Sequence, residues 1–188
     1  MKRLLGIFAL GALTLPALTG CTSHNGGVAT RQITPALTPS PVPHCKEVDG
    51  LPDPACTPGA VRTTDINSIC HGGSTKQFRP PVTYTEPLKQ QGIIEYGYTD
   101  TSLSSYEEDH LISLELGGDG YSPQNLWPEP HTGDFNSFQK DQVENWLHKQ
   151  ICSGAIPVAD AQHGVATNWK QYLPTAAREV PLLSRERQ

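Results

Sequence analysis

The stretch that decides the fold reads Tyr106-Glu107-Glu108-Asp109-His110-Leu111-Ile112-Ser113-Leu114-Glu115-Leu116-Gly117-Gly118. Asp119 to Gln124 follow, and then Asn125-Leu126-Trp127-Pro128-Glu129-Pro130. From Leu111 to Leu116 apolar and polar residues roughly alternate, with Ile112 breaking the pattern, which predicts a strand. Gly117-Gly118-Asp119-Gly120 is a strong turn signal. Asn125-Leu126-Trp127 begins a second short strand that Pro128 ends. From Asn136 to Cys152, Phe138, Val143, Trp146, Leu147 and Ile151 fall largely on one face at helical spacing. Asp134 is the expected N-cap and Ser153-Gly154 the stop. Asp141, Glu144 and His148 share one stripe of that helix. The local order is therefore strand, loop, strand, helix, with an Asp-His pair at its front.

Outward from this stretch the chain is loop-rich. It has 188 residues, of which 17 are Gly and 17 Pro, and its AVILMFWYC fraction is 36%. That composition suits one domain with appendages and excludes a multi-span membrane protein. Residues 45–100 are punctuated by Asp53-Pro54, Thr57-Pro58-Gly59 and Arg79-Pro80-Pro81. Residues 63–70 are expected to form a short helix burying Ile66 and Ile69, and residues 86–92 another after Pro87. Residues 176–188 read as a polar tail that frays.

Residues 1–20 read as a secretory signal: Lys2-Arg3, then an uncharged run from Leu4 to Leu18 interrupted by Pro16. The run is shorter than the ~20 residues a spanning helix needs. It ends Leu18-Thr19-Gly20-Cys21, which resembles the lipobox of bacterial lipoproteins and implies acylation of Cys21. Thr22 in place of Asp then favours the outer membrane, in a cell that has one. Residues 21–44 hold four Pro, two Gly and six Ser/Thr and read as a tether. The domain proper is expected at 45–175.

The formal net charge is −5, and loss of Lys2 and Arg3 leaves 12 basic against 19 acidic residues. Any polyanion must then be met by a local patch, here Lys76, Arg79, Lys89 and Lys140, or by a metal ion. Beyond Cys21, the even set Cys45, Cys56, Cys70 and Cys152 in an exported chain favours disulfides. Three connectivities exist, and the pairing expected is Cys45–Cys56 with Cys70–Cys152. A cysteine-ligated zinc is the rival, unsupported by any Cys-x-x-Cys pair.

The order Asp109-His110, Gly117-Gly118, Asn125-Leu126 and then a helix resembles the HNH, or ββα-metal (His-Me finger), endonucleases. The likeness to that core covers residues 106–150. A weaker likeness to an exported subgroup extends over about 50–172. The resemblance implies an α+β fold: a small single domain with a β-hairpin-plus-helix core, stapled by disulfides. It implies metal-dependent hydrolysis of a nucleic-acid phosphodiester outside the cytoplasm, with DNA expected ahead of RNA. His110 is then the general base, Asp109 a metal ligand, and Asn125 the group that orients the His110 ring.

Two departures stand out. Ser113 replaces a frequent Pro, and the usual Cys-x-x-His at the helix start is absent, which opens the identity of the last ligand. Asp141 is the first candidate, His148 the second and Glu144 the third. Lys140 and Arg79 are expected to contact phosphate. Oxygen ligands favour Mg²⁺, with Mn²⁺ or Ca²⁺ behind it, and a His148 ligand would admit Zn²⁺ or Ni²⁺.

Plainer readings sit beside these. The Asp141-Glu144-His148 stripe also suits a solvated helix face, Asn125 suits a turn, and Glu107 and Glu108 read as surface charge. Trp127, Trp146 and Trp169 read as packing. Two alternatives to a nuclease follow. One is a noncatalytic envelope lipoprotein that uses a degenerate ββα module to bind a partner. The other is a metal-dependent hydrolase of another phosphodiester or a cell-wall polymer. No Gly-x-Ser-x-Gly elbow supports a serine hydrolase.

Overall fold

A computed structural model describes residues 44–180. The expected signal 1–20, Cys21 and the tether up to residue 43 lie outside the described residues, as do residues 181–188. Among the described residues no helix is long and apolar enough to cross a membrane.

The elements are helices α1 (Ile66–His71) and α2 (Val82–Glu95), strands β1 (Tyr106–His110) and β2 (Leu126–Pro130), then helices α3 (Ser137–Cys152), α4 (Val158–Asn168) and α5 (Leu173–Glu179). The fold is thus mixed, helices around one two-stranded antiparallel sheet. The disulfides are Cys45–Cys56 and Cys70–Cys152, as expected. The second ties the end of α1 to the end of α3 across 82 residues.

The hairpin corrects the expected strands. β1 lies before the alternating run, and Leu114–Leu116 form a 3₁₀ turn instead. The reason is the side chain of Asn125. Its Oδ1 accepts from Ile112 N at 2.9 Å and its Nδ2 donates to Ile112 O at 2.9 Å. One amide thereby takes the two groups that a neighbouring strand would have used. Leu111, Ile112, Leu114 and Leu116 are then all buried rather than alternately exposed. Gly117 sits at φ 88°, and a Cβ at Gly118 would lie 1.8 Å from Ile112 O, so no larger residue closes this turn without shifting it.

Pro128 does not end β2, which continues to Pro130. Bonds from Leu111 N to Asn125 O and from His131 N to Ser105 O frame the ladder. They place Glu107↔Glu129 and Asp109↔Trp127 in its hydrogen-bonded pairs. Pro128 and Pro130 fall in the alternate pairs, where the missing N–H would have faced outward.

The helices depart from expectation by similar tertiary causes. α2 begins at Val82 and runs through Pro87. It is held by packing: a Cβ on Gly92 would meet Pro128 Cδ at 2.8 Å, and Lys89 Nζ donates to Leu103 O and Tyr106 O at 3.1 and 3.2 Å. In α1, Ile69 is buried but Ile66 is exposed. α3 is capped by Asn136 rather than Asp134, in a reciprocal capping box with Gln139. Its Val143, Leu147 and Ile151 pack with Leu116, Ala161, Val165 and Trp169 in the main core. Each such burial contributes about 1.5–3 kcal/mol. The expected polar tail is folded as far as Val180: Ala176 is buried, and Gln142 Nε2 donates to Val180 O at 2.6 Å.

Candidate functional site

Consecutive residues of an extended strand point to opposite faces. Asp109 therefore faces α3, while Glu108 and His110 face away from it. On the α3 side Lys140 is buried to 1% exposure. Its Nζ lies 2.6 Å from Asp109 Oδ2 and 3.0 Å from His110 O, and it also donates to Glu144 Oε1. Burial alone would pull this ammonium down, but Asp109, Glu144 and Glu129 around it outweigh that and hold it well above the usual lysine value.

The cluster is acidic in excess. Glu129 is 1% exposed, and neither of its carboxylate oxygens has a hydrogen-bond partner. Burial first, and then the charge of Asp109, pushes Glu129 well above the ordinary carboxylate range. Burial raises Glu144 too, against the pull of Lys140. Glu107, opposite Glu129 in the ladder, is pushed up to about 7 by burial and then by Asp109 and Asp141.

On the other side of the strand His110 is 4% exposed. Its Nε2 lies 3.1 Å from Gly120 O. A carbonyl only accepts, so Nε2 carries the proton and Nδ1 holds the lone pair. Burial lowers the His110 pKa; Asp109 and the Gly120 carbonyl oppose that, while Arg79 and Lys140 lower it further. The lowered pKa favours the neutral imidazole. Next to it Glu108 is pushed up to about 8 by burial, with Lys89 opposing.

Several expected roles change. Asn125 makes no hydrogen bond to the His110 ring. It is fully buried and braces the loop, its Nδ2 also donating to Asp119 O at 2.9 Å, one residue before the carbonyl that His110 engages. Lys140 cannot serve as a surface phosphate contact, because it is enclosed between two carboxylates. Lys89 is tied to backbone carbonyls. The expected basic patch is reduced to the exposed Lys76 and Arg79.

Arg79 borders an open cavity of about 300 Å³ with Glu107, Glu108, Lys89 and His131. Glu144 joins Asp109 through Lys140, and Asp141 lies near enough to raise both Glu107 and Glu144. His148 stands apart. Its Nε2 is 3.3 Å from Ile69 O and 3.6 Å from Cys152 Sγ, beside the disulfide, so the helix stripe does not converge on Asp109.

Two His/Cys groups lie close enough to share an ion, His44 with Cys45 and Cys56, and His148 with Cys70 and Cys152. Their cysteines are committed to disulfides and offer no thiolate, which removes the zinc-thiolate rival at these positions.

Sequence reasoning missed Glu129. The signal was available: with the strand carried through Pro128, period 2 places Glu129 on the face of the buried Trp127. Comparison with known proteins adds nothing to this geometry, since no family model, curated protein or solved structure matches the chain.

Proposed function

We propose that this chain hydrolyses phosphodiester bonds in nucleic acid, with His110 Nδ1 as general base, in the manner of the HNH endonucleases its motif resembles. The observation that carries the reading is the His110 geometry: a neutral imidazole whose Nε2–H is held by Gly120 O, leaving the Nδ1 lone pair, on the strand residue that follows Asp109 of the acidic cluster.

His110 takes a proton from water at Nδ1, and the hydroxide attacks phosphorus. Asn125 positions the base indirectly, by fixing the loop that carries Gly120. Arg79, exposed and in no ion pair with a described residue, holds a phosphate oxygen. Lys140 keeps Asp109 and Glu144 together at the base of the site.

The donor chemistry fits a hard divalent cation such as Mg²⁺. Four acids, Glu107, Asp109, Glu129 and Glu144, face one ammonium, and the Glu129 oxygens are buried without a partner. Asp109, Glu129 and Glu144 are the residues that would hold it. Such an ion supplies charge neutralisation at the phosphate and at the departing 3′ oxygen.

The same reading takes residues 1–44 as export signal, lipidated Cys21 and tether, which would anchor the domain to the bacterial cell envelope outside the cytoplasm. The two disulfides support an oxidising compartment.

One observation favours the noncatalytic alternative: the Lys140 ammonium already lies between Asp109 and Glu144, where a metal would compete with it. Plasmid cleavage separates the readings. Cleavage with Mg²⁺ or Mn²⁺, falling about 10²–10⁴-fold in a folded His110→Ala variant, is the expected result. A folded wild type that cleaves neither DNA nor RNA with Mg²⁺, Mn²⁺, Ca²⁺ or Zn²⁺ sinks the nuclease reading and leaves the binding module.

A further inference from the structure

Tyr121 is 51% exposed, yet its backbone is firmly held. Tyr121 N donates to Asp119 Oδ1 at 2.8 Å, and Tyr84 Oη donates to Tyr121 O at 2.6 Å. The residue before it is Gly120, whose carbonyl accepts the His110 Nε2–H at 3.1 Å. The Tyr121 ring leans on the Tyr84 ring, centroids 5.3 Å apart at 54°. Tyr84 belongs to the first turn of α2, and that helix and the loop after β1 thus present an aromatic pair together.

The contact with Tyr84 covers only part of this large ring, and about half of the residue is left in water on a firmly held backbone. Its place is informative. One peptide link separates it from the carbonyl that fixes the His110 tautomer, and Gly120 packs against the carbonyl of Phe78, the residue before the exposed Arg79, where an added Cβ would lie 2.0 Å from Phe78 O. An aromatic face, a cation and the His110 imidazole are therefore all anchored around Gly120.

Resting on the nuclease reading above, we infer that Tyr121, backed by Tyr84, is a stacking platform for an unpaired nucleobase beside the phosphodiester that His110 addresses, so that the substrate is a single-stranded nucleic acid. Bases within a duplex show a protein their edges, and only an unpaired base offers its face to a ring. Stacking is indifferent to base identity, so the platform confers strandedness rather than sequence preference. It also supplies affinity that the acidic net charge of the chain does not.

The test measures binding by fluorescence anisotropy in a His110→Ala background with Ca²⁺, where turnover does not interfere. The probes are labelled oligothymidylate, oligouridylate, an abasic strand of equal length and a duplex. Binding of oligothymidylate or oligouridylate should exceed that of the abasic strand, weaken about tenfold with Tyr121→Ala and return with Tyr121→Phe. Abasic and duplex binding should not change with either variant. The preferred pyrimidine strand tells whether the unpaired base comes from DNA or RNA.

The inference is overturned if Tyr121→Ala leaves the single-strand affinity unchanged, if it weakens the abasic strand equally, or if the duplex binds tighter than the single strand. Should wild type still cut duplex DNA in those cases, the platform fails and the nuclease reading survives. If no strand is bound and none is cut, both fall.

Discussion

The two faces of β1 manage buried charge in opposite ways. Toward α3, Asp109, Glu144 and the His110 carbonyl enclose one lysine ammonium, and Lys140 is 1% exposed. Toward α2, the half-buried Glu108 and the buried His110 have no cationic hydrogen-bond partner, and they respond by favouring their neutral forms. The first face is a charge lattice that a missing member would break. The second is a set of groups free to gain or lose a proton. Chemistry that moves protons belongs on the second face, and a fixed electrostatic frame on the first.

The largest effect expected from this contrast is at Lys140. Lys140→Met leaves Asp109 and Glu144 buried without their cation and should cost about 3–5 kcal/mol. Urea unfolding with the variant as stable as wild type would refute a charge-locked α3 face. Asn125→Ala comes next. It strands Ile112 N, Ile112 O and Asp119 O and should cost about 3 kcal/mol, at about 1 kcal/mol or more for each buried group left unpaired. It should also depress kcat more than KM, because Gly120 loses its brace. A stability loss with unchanged kcat would confine Asn125 to the fold.

The other face is probed by pH. Burial raises Glu108 from its ordinary value to about 8 in the folded chain. The folded state then holds a proton that the unfolded state releases, so this contribution is whole below about pH 4.5 and is lost as pH rises through 8. In chelator, melting curves should fall more steeply between pH 5 and 9 for wild type than for Glu108→Gln, and the two should converge at pH 4. Parallel curves would place Glu108 in water. The smallest effect is at Arg79. Arg79→Ala should weaken nucleic-acid binding several-fold on every sequence and reduce the salt slope by about one, without changing stability. A lowered melting temperature would mean that Arg79 serves packing.

What could be read from the sequence followed the range over which each feature is decided. Local chemistry carried α3, whose Val143, Leu147 and Ile151 repeat marks a buried face, and the turn at Gly117-Gly118. The even cysteine count pointed to disulfides but left three connectivities, of which the expected one, Cys45–Cys56 with Cys70–Cys152, is found. The strand positions were not local. Leu111 to Leu116 have the pattern of a strand, but one side chain 13 residues away, Asn125, occupies the Ile112 backbone and turns the segment into a 3₁₀ loop. α2 runs through Pro87 because Gly92 and Lys89 are held by the hairpin, a contact no window of sequence contains. At the site, Asp109 and His110 were evident as a pair. That Lys140 would turn inward between two carboxylates was not, since a lysine on a helix reads the same whether it faces water or an acid.

The prolines of β2 have one more consequence. With Pro128 and Pro130 in the pairs whose nitrogens face outward, the outer margin of β2 lacks two of the donors that an incoming strand from another molecule would need, and α2 covers it at Pro128. The hairpin is thereby protected from edge-to-edge polymerisation, at no expense to its own ladder.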